Sequence, residues 1–198
     1  MKKTFLALLL VVCVAASSLT AGDMDFVSAN LSGGFSLIQK LPSFGGNAKY
    51  QYAAQIDRHA YFGIGSSTDF DFLFPNNDLN VAVAVSAGPV IVIAPDARST
   101  VNIMLGPAIY AETGRANSGT RYDYATIGIT ADAFYTYYPG SYTALGLTIG
   151  ATGYLFFTNF ADKTSSSNRI TGDIKGYVGF TWRSGDIPEP AGSSYLVY

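Results

Sequence analysis

The sequence predicts an all-β fold, an eight-stranded antiparallel up-and-down transmembrane β-barrel with lipid against its outer face. Three observations carry this prediction. Apolar and polar residues alternate for ten positions or more in about eight segments, the two-faced pattern of β-strands. Charged residues make up 13% of the chain, well below the usual share, while aromatics reach 14% and Gly occurs 21 times. Short turns alternate with longer connections, as expected of a barrel that crosses a membrane.

The N-terminal segment stands outside this pattern. Lys2 and Lys3 precede the apolar run Phe5 to Ala16, and Ser17, Ser18 and Ala21 follow it. That order describes a secretory signal peptide, so residues 1–21 are expected to be cleaved on export. The run is too short for a spanning helix. The only cysteine, Cys13, lies inside it. The mature chain is therefore expected to hold no disulfide, thiol nucleophile or cysteine-ligated metal. Residues 22–183 are expected to form the barrel. Residues 184–198, with Pro188 and Pro190, read as a short periplasmic C-terminal tail.

The strands are expected at 26–38, 47–57, 59–74, 79–94, 99–114, 121–138, 141–158 and 169–183. In the first, Val27, Ala29, Leu31 and Phe35 oppose Ser28, Asn30, Ser32 and Gly34. The second sets Tyr50, Tyr52 and Ile56 against Lys49, Gln51 and Gln55, and the third sets Phe62, Ile64, Phe70, Phe72 and Phe74 against Gly63, Gly65, Ser67, Asp69 and Asp71. The fourth sets Val81, Val83 and Val85 against Asn80, Ala82 and Ala84. The fifth sets Val101, Ile103, Leu105 and Ile109 against Asn102, Gly106, Tyr110 and Glu112, and the sixth sets Ile127, Ile129 and Tyr135 against Thr126, Thr130, Asp132 and Thr136. The seventh sets Leu145, Leu147, Ile149 and Leu155 against Gly146, Thr148, Gly150, Thr152 and Tyr154, and the eighth sets Ile174, Val178, Phe180 and Trp182 against Asp173, Lys175, Tyr177 and Arg183.

Asp57-Arg58, Pro95 to Arg98 and Pro139-Gly140-Ser141 read as tight turns. Segments 39–46, 115–120 and 160–168 read as longer loops at the opposite end. Pro75 to Asp78 is a short connection where a longer one is due. Pro89 and Pro107 fall within strands, each after a Gly, which predicts β-bulges.

Alternation alone leaves open which face points inward. A soluble lipocalin-like barrel would hold an apolar ligand within and present its polar face to water. Lipid outside is favoured because the polar faces carry Gly, Ser, Thr, Ala and Asn with few charges. Small residues also suit the narrow bore of eight strands. Aromatics gather at both ends of the oily faces, with Phe70, Phe72, Phe74 and Phe157 at one end and Phe62, Tyr135, Tyr137 and Trp182 at the other. They predict two interfacial girdles, with Phe180 also on the oily face.

On these residues, 26–183 resembles the small eight-stranded outer-membrane barrels of diderm bacteria, the group around the OmpA membrane domain, OmpX and OmpW. The resemblance implies a monomer in the bacterial outer membrane, in contact with its lipids and with the barrel-assembly machinery. It also implies an assembly signal in the last strand. Lys175 to Trp182 is similar, with Phe180 and Trp182 in the aromatic places, although Gly176 and Gly179 depart from the usual pattern. The terminal stretch Gly192 to Tyr198 is a second candidate for that signal.

The inward faces carry Lys49, Asp57, Asp69, Asp71, Glu112, Asp132, Asp173, Lys175 and Arg183. By strand direction, Asp57, Asp132 and Arg183 are expected at the periplasmic end and the others at the outer end. Charges in so narrow a bore need partners. An ion-pair plug is one expectation. A narrow cation or small-solute path is the other, because acids outnumber lysines at the outer end. Enzymatic chemistry is not expected: the one histidine, His59, falls in a turn at the periplasmic end, leaving no base for a hydroxyl nucleophile. No metal site or cofactor is expected. A net charge of −2 offers no footprint for nucleic acid. Lys163 to Arg169 is the loop segment that could meet a host or surface ligand. The expected role is structural or surface-interacting.

Overall fold

A computed structural model describes residues 23–37, 40–74, 79–115, 121–140, 143–159 and 171–185. Residues 1–22 and 186–198, which hold the expected signal peptide and nearly all of the expected tail, lie outside the described residues. Eight strands follow in order: β1 (Met24–Ser36), β2 (Leu41–Asp57), β3 (Ala60–Leu73), β4 (Asn80–Asp96), β5 (Ser99–Arg115), β6 (Arg121–Tyr137), β7 (Leu145–Asn159) and β8 (Thr171–Ser184). Each pairs antiparallel with its sequence neighbour, and β1 pairs with β8 to close the barrel.

The pairing is staggered. Followed once round the wall, it leads from Met24 through Ala53, Gly63, Val90, Met104, Asp132, Thr152 and Lys175 to Gly34. The circuit closes ten residues further along β1 than it began. Such a stagger requires strands tilted about 35–45° from the barrel axis.

Alternation sorts side chains between outside and bore. Leu31, Ile64, Ile149 and Ile174 are 75%, 68%, 60% and 66% exposed on the outer face. Ser28, Lys49, Asp69, Asp132 and Thr181 are buried in the bore. An exposed apolar belt on this scale suits lipid and not water. The lipocalin-like expectation is therefore overturned, because it needs the opposite faces. Phe62, Phe70, Phe72, Phe74, Tyr135, Tyr137, Phe180 and Trp182 are all exposed outside. The side chain of Phe157 lies outside the described residues. Phe44 joins this surface opposite Phe72.

Three local expectations are corrected. First, β2 begins at Leu41, so 41–46 is strand and the β1–β2 connection shrinks to 37–40. Pro42, Gly45 and Gly46 resemble loop residues, yet Gly45 sits where a Cβ would run into the Phe70 carbonyl of β3. Lys40 takes the left-handed conformation that so short a connection requires, with φ 58°. Second, β7 begins at Leu145, so the connection 138–144 is longer than a tight turn at Pro139-Gly140-Ser141. Third, no register shift occurs at Pro89 or Pro107. Shifts lie instead between Gln55 and Asp57, between Ile93 and Asp96, and between Ile127 and Gly128.

The first two shifts adjoin two-residue turns, each tied by an aspartate. Asp57 accepts a bond from the Arg58 amide, and Asp96 accepts from the Arg98 amide, both at 2.7 Å. Asp57 is exposed there, so its expected place in the bore is also corrected. The turns 58–59 and 97–98 share one end of the barrel with the strand termini, here the terminus end. The other is the loop end.

Candidate functional site

The bore is the candidate site, because it gathers the buried charged side chains. Some of their bonds run across it between opposite strands, and others run along its wall. β2 and β6 stand opposite one another in an eight-stranded ring. From them Lys49 and Asp132 meet at 2.5 Å. Lys49 also donates to the Tyr177 hydroxyl at 2.7 Å, and its ammonium lies 3.8 Å from that ring's centroid. Asp132 Oδ1 further accepts from Thr152 at 2.5 Å and from Tyr177 at 2.8 Å.

β3 and β7 are likewise opposite, and Tyr154 donates to Asp69 across the bore at 2.5 Å. Ser67 donates to the same carboxylate oxygen at 3.0 Å. Lys175 of β8 pairs with Asp71 of β3. Glu112 accepts from Tyr110 at 2.9 Å and from Asn80 at 3.3 Å. Asp173 is buried near this group. One carboxylate oxygen of each of Asp69, Asp71 and Asp173 finds no hydrogen-bond partner among the described residues.

These contacts correct the expected division of charges between the ends. Lys49 was assigned to the outer group and Asp132 to the periplasmic group, yet they form one ion pair. Position along a strand does not give depth when the strands are staggered round the circuit.

Toward the terminus end the bore changes character. Met24, Phe26, Ala53, Tyr61, Val90, Val92, Ala94 and Met104 form an apolar cluster against β1 to β5. On the facing wall Ser28, Thr181, Thr148 and Thr136 form a ladder of hydroxyls at 2.7, 2.6 and 2.9 Å. A uniformly polar filling is therefore not what the bore contains. At its terminus-end mouth the Arg183 side chain reaches the Ala97 carbonyl at 2.9 Å. Its guanidinium stacks on Tyr138 at 3.9 Å.

Lys49, Asp69, Asp71, Glu112, Asp132, Asp173, Lys175 and Arg183 are thus all buried, with Arg183 apart from the rest. Sequence reasoning set Tyr110, Tyr154 and Tyr177 on the polar faces without giving them a role. Their hydroxyls supply the donors that the surplus carboxylates need. The signal was available in their parity: each is a Tyr at an inward position, and Tyr110 and Tyr177 stand two residues from the inward charges Glu112 and Lys175. His59 sits in the turn 58–59 and donates from Nδ1 to the Ala94 carbonyl at 2.9 Å, away from the buried acids. Among the described residues no group of three His, Cys, Asp or Glu is arranged to hold a metal ion.

No protein-family model matches the chain, and no curated protein matches its sequence significantly. Among solved structures it is similar to Neisserial surface protein A (NspA), with a TM-score of 0.53 and 11% identity, covering 82% of this chain and 96% of that one. It is also similar to Ail, the attachment invasion locus protein of Yersinia pestis, in complex with the heparin analogue sucrose octasulfate. There the TM-score is 0.53 and the identity 12%, covering 83% of this chain and 100% of that one. At such identity the likeness is one of fold: this chain has the closed eight-stranded architecture of small outer-membrane β-barrels.

Proposed function

We propose that the chain is exported by residues 1–21 and resides in the bacterial outer membrane as an axially closed barrel. Its role is structural or surface-interacting, with no enzymatic activity. The observation that carries this reading is the set of contacts between opposite walls, Lys49 to Asp132 and Tyr154 to Asp69, which cross the bore and support its closure at their levels. The terminus end faces the periplasm, following the usual order of such barrels. Residues 184–198 then form a periplasmic tail, and 160–170 stands outside the cell. The attachment protein among the similar folds supports, by analogy, a surface role for that segment. The partners are outer-membrane lipids, the assembly machinery and a surface ligand met through the loops. The barrel acts as a monomer.

A single cysteine tests this reading. In the mature chain, Ser166→Cys should react with a membrane-impermeant maleimide on intact cells, and the protein should fractionate with the outer membrane. Labelling only after lysis would overturn the orientation. Recovery outside the outer membrane would overturn the reading itself.

One observation favours a second reading. Among the described residues, buried Asp69, Asp71, Glu112 and Asp173 share the loop-end half with one buried lysine, Lys175, beyond the Lys49–Asp132 pair. That charge surplus suits a narrow cation path. Unitary cation-selective currents would favour this reading, whereas their absence would favour the closed barrel.

A further inference from the structure

We propose that a groove on the outer face of β2 to β4 is the seat of one glycerophospholipid, with an acyl chain in the groove and the phosphate on Arg58. The inference rests on the reading that the barrel sits in the outer membrane with its terminus end toward the periplasm. The groove is about 520 Å³, and Tyr50, Phe62, Ile64, Ser66, Ala87 and Pro89 line it. Cross-strand pairing explains its shape. Tyr50, Ser66 and Ala87 fall in one row, with Ile64 and Pro89 in the next. Ser66 and Ala87 are small, whereas Tyr50, Phe62 and Ile64 beside them are large, so the surface sinks there. Phe62 and Ile64 are exposed on the lipid-facing belt, so a hydrocarbon chain is the occupant that the surroundings offer.

Charge selects which lipid. Arg58, in the turn that leads into β3, is exposed and has no ion-pair partner among the described residues. Its amide is held by the Asp57 carboxylate at 2.7 Å, which fixes the turn. At 3.3 Å per residue, Arg58 stands about 13 Å along the chain from Phe62, at the terminus-end edge of the groove. With Phe62 in the interfacial girdle, that places the guanidinium in the headgroup layer, where it can donate to a phosphate. A second outer groove supplies the contrast. It is lined on β1, β7 and β8 by Leu31, Leu147, Val178 and Phe180. The connection 138–144 at its terminus end holds no Lys or Arg, and Arg183 beside it turns into the bore toward Tyr138. That groove offers room for a chain without a partner for the phosphate.

The test uses the full mature chain folded in alkyl maltoside micelles, which hold no phosphate, and titrated with phosphatidylglycerol carrying brominated acyl chains. Phe62→Trp with Trp182→Phe puts the reporter at the groove, and Trp182 of the unsubstituted chain reads the second groove. Quenching at position 62 should saturate. Diacylglycerol with the same brominated chains should need about fivefold more lipid for half-quenching, and so should Arg58→Gln with the phospholipid. Trp182 should be quenched alike by both lipids. Equal half-quenching by both lipids at position 62, no effect of Arg58→Gln, or the same phosphate preference at Trp182 would overturn the proposal. Should the reporter variant not fold, native mass spectrometry of the unsubstituted chain decides. One phospholipid should stay bound and should be lost in Arg58→Gln. None bound, or one bound equally to both, would overturn the seat. A protein that fractionates with the outer membrane and fails these tests overturns this inference alone, whereas recovery outside that membrane overturns the reading beneath it.

Discussion

The two halves of the bore differ in where their buried ion pairs lie, although both hold apolar side chains, Leu73, Ala82, Ala84 and Phe156 among them in the loop-end half. From the middle to the loop end, Lys49, Asp132, Lys175 and Asp71 meet as buried ion pairs, and Tyr110 and Tyr154 donate to Glu112 and Asp69. Toward the terminus end, Phe26, Val90, Val92 and Met104 pack without charge opposite a ladder of threonine hydroxyls. The first half depends on particular partners, because each buried charge has lost its water. The second depends on volume, because apolar packing is non-directional. The same alternation built both halves, so an inward position specifies burial and leaves the chemistry of closure to the residue placed there.

The largest expected effect comes from removing one partner in the charged half. Asp132→Ala leaves the Lys49 ammonium buried without its anion and should cost about 3–5 kcal/mol. Urea unfolding in vesicles, followed by Trp182 fluorescence, reads this. Replacing both partners, Lys49→Met with Asp132→Leu, should restore most of the loss. If the double variant were as unstable as the single one, the pair would be more than a filling.

In the apolar half, Met104→Ala should cost about 3 kcal/mol by opening a cavity, whereas Met104→Leu should cost less than about 1.5 kcal/mol. The same unfolding experiment separates them. Equal losses would mean that this half also needs specific atoms. On the outer face, Ile149→Lys should destabilise the inserted barrel by about 2–3 kcal/mol if that position faces the hydrocarbon core. A neutral outcome would move Ile149 out of the lipid. The smallest effect belongs to the hydroxyl ladder, where Thr148→Val should cost about 1 kcal/mol. A loss as large as that of Asp132→Ala would make the ladder a third structural element, on a par with the ion pairs.

Much of the wall was legible because a strand's period of two leaves little freedom. Lys49, Asp69, Asp71, Glu112, Asp132, Asp173, Lys175 and Arg183 were placed inward by parity alone, and they are buried in the bore. Who meets whom was not legible. Lys49 and Asp132 are 83 residues apart, and their meeting depends on the stagger accumulated round the closed sheet. Nor was the apolar half. Val90 and Val92 lie beside outward Ile91 and Ile93, so a run of four apolar residues concealed its two faces. The start of β2 was hidden by Pro42, Gly45 and Gly46, whose turn-forming character is outweighed by pairing with β1 and β3. At Pro89 and Pro107 a bulge was the local solution expected. The sheet instead keeps its register past both prolines.

Axial closure is the claim on which the rest depends. It is tested most directly by recording the folded mature chain in a planar bilayer in concentrated potassium chloride. The closed bore predicts no unitary conductance steps from the unsubstituted chain. Steady, cation-selective steps from that same chain would contradict it.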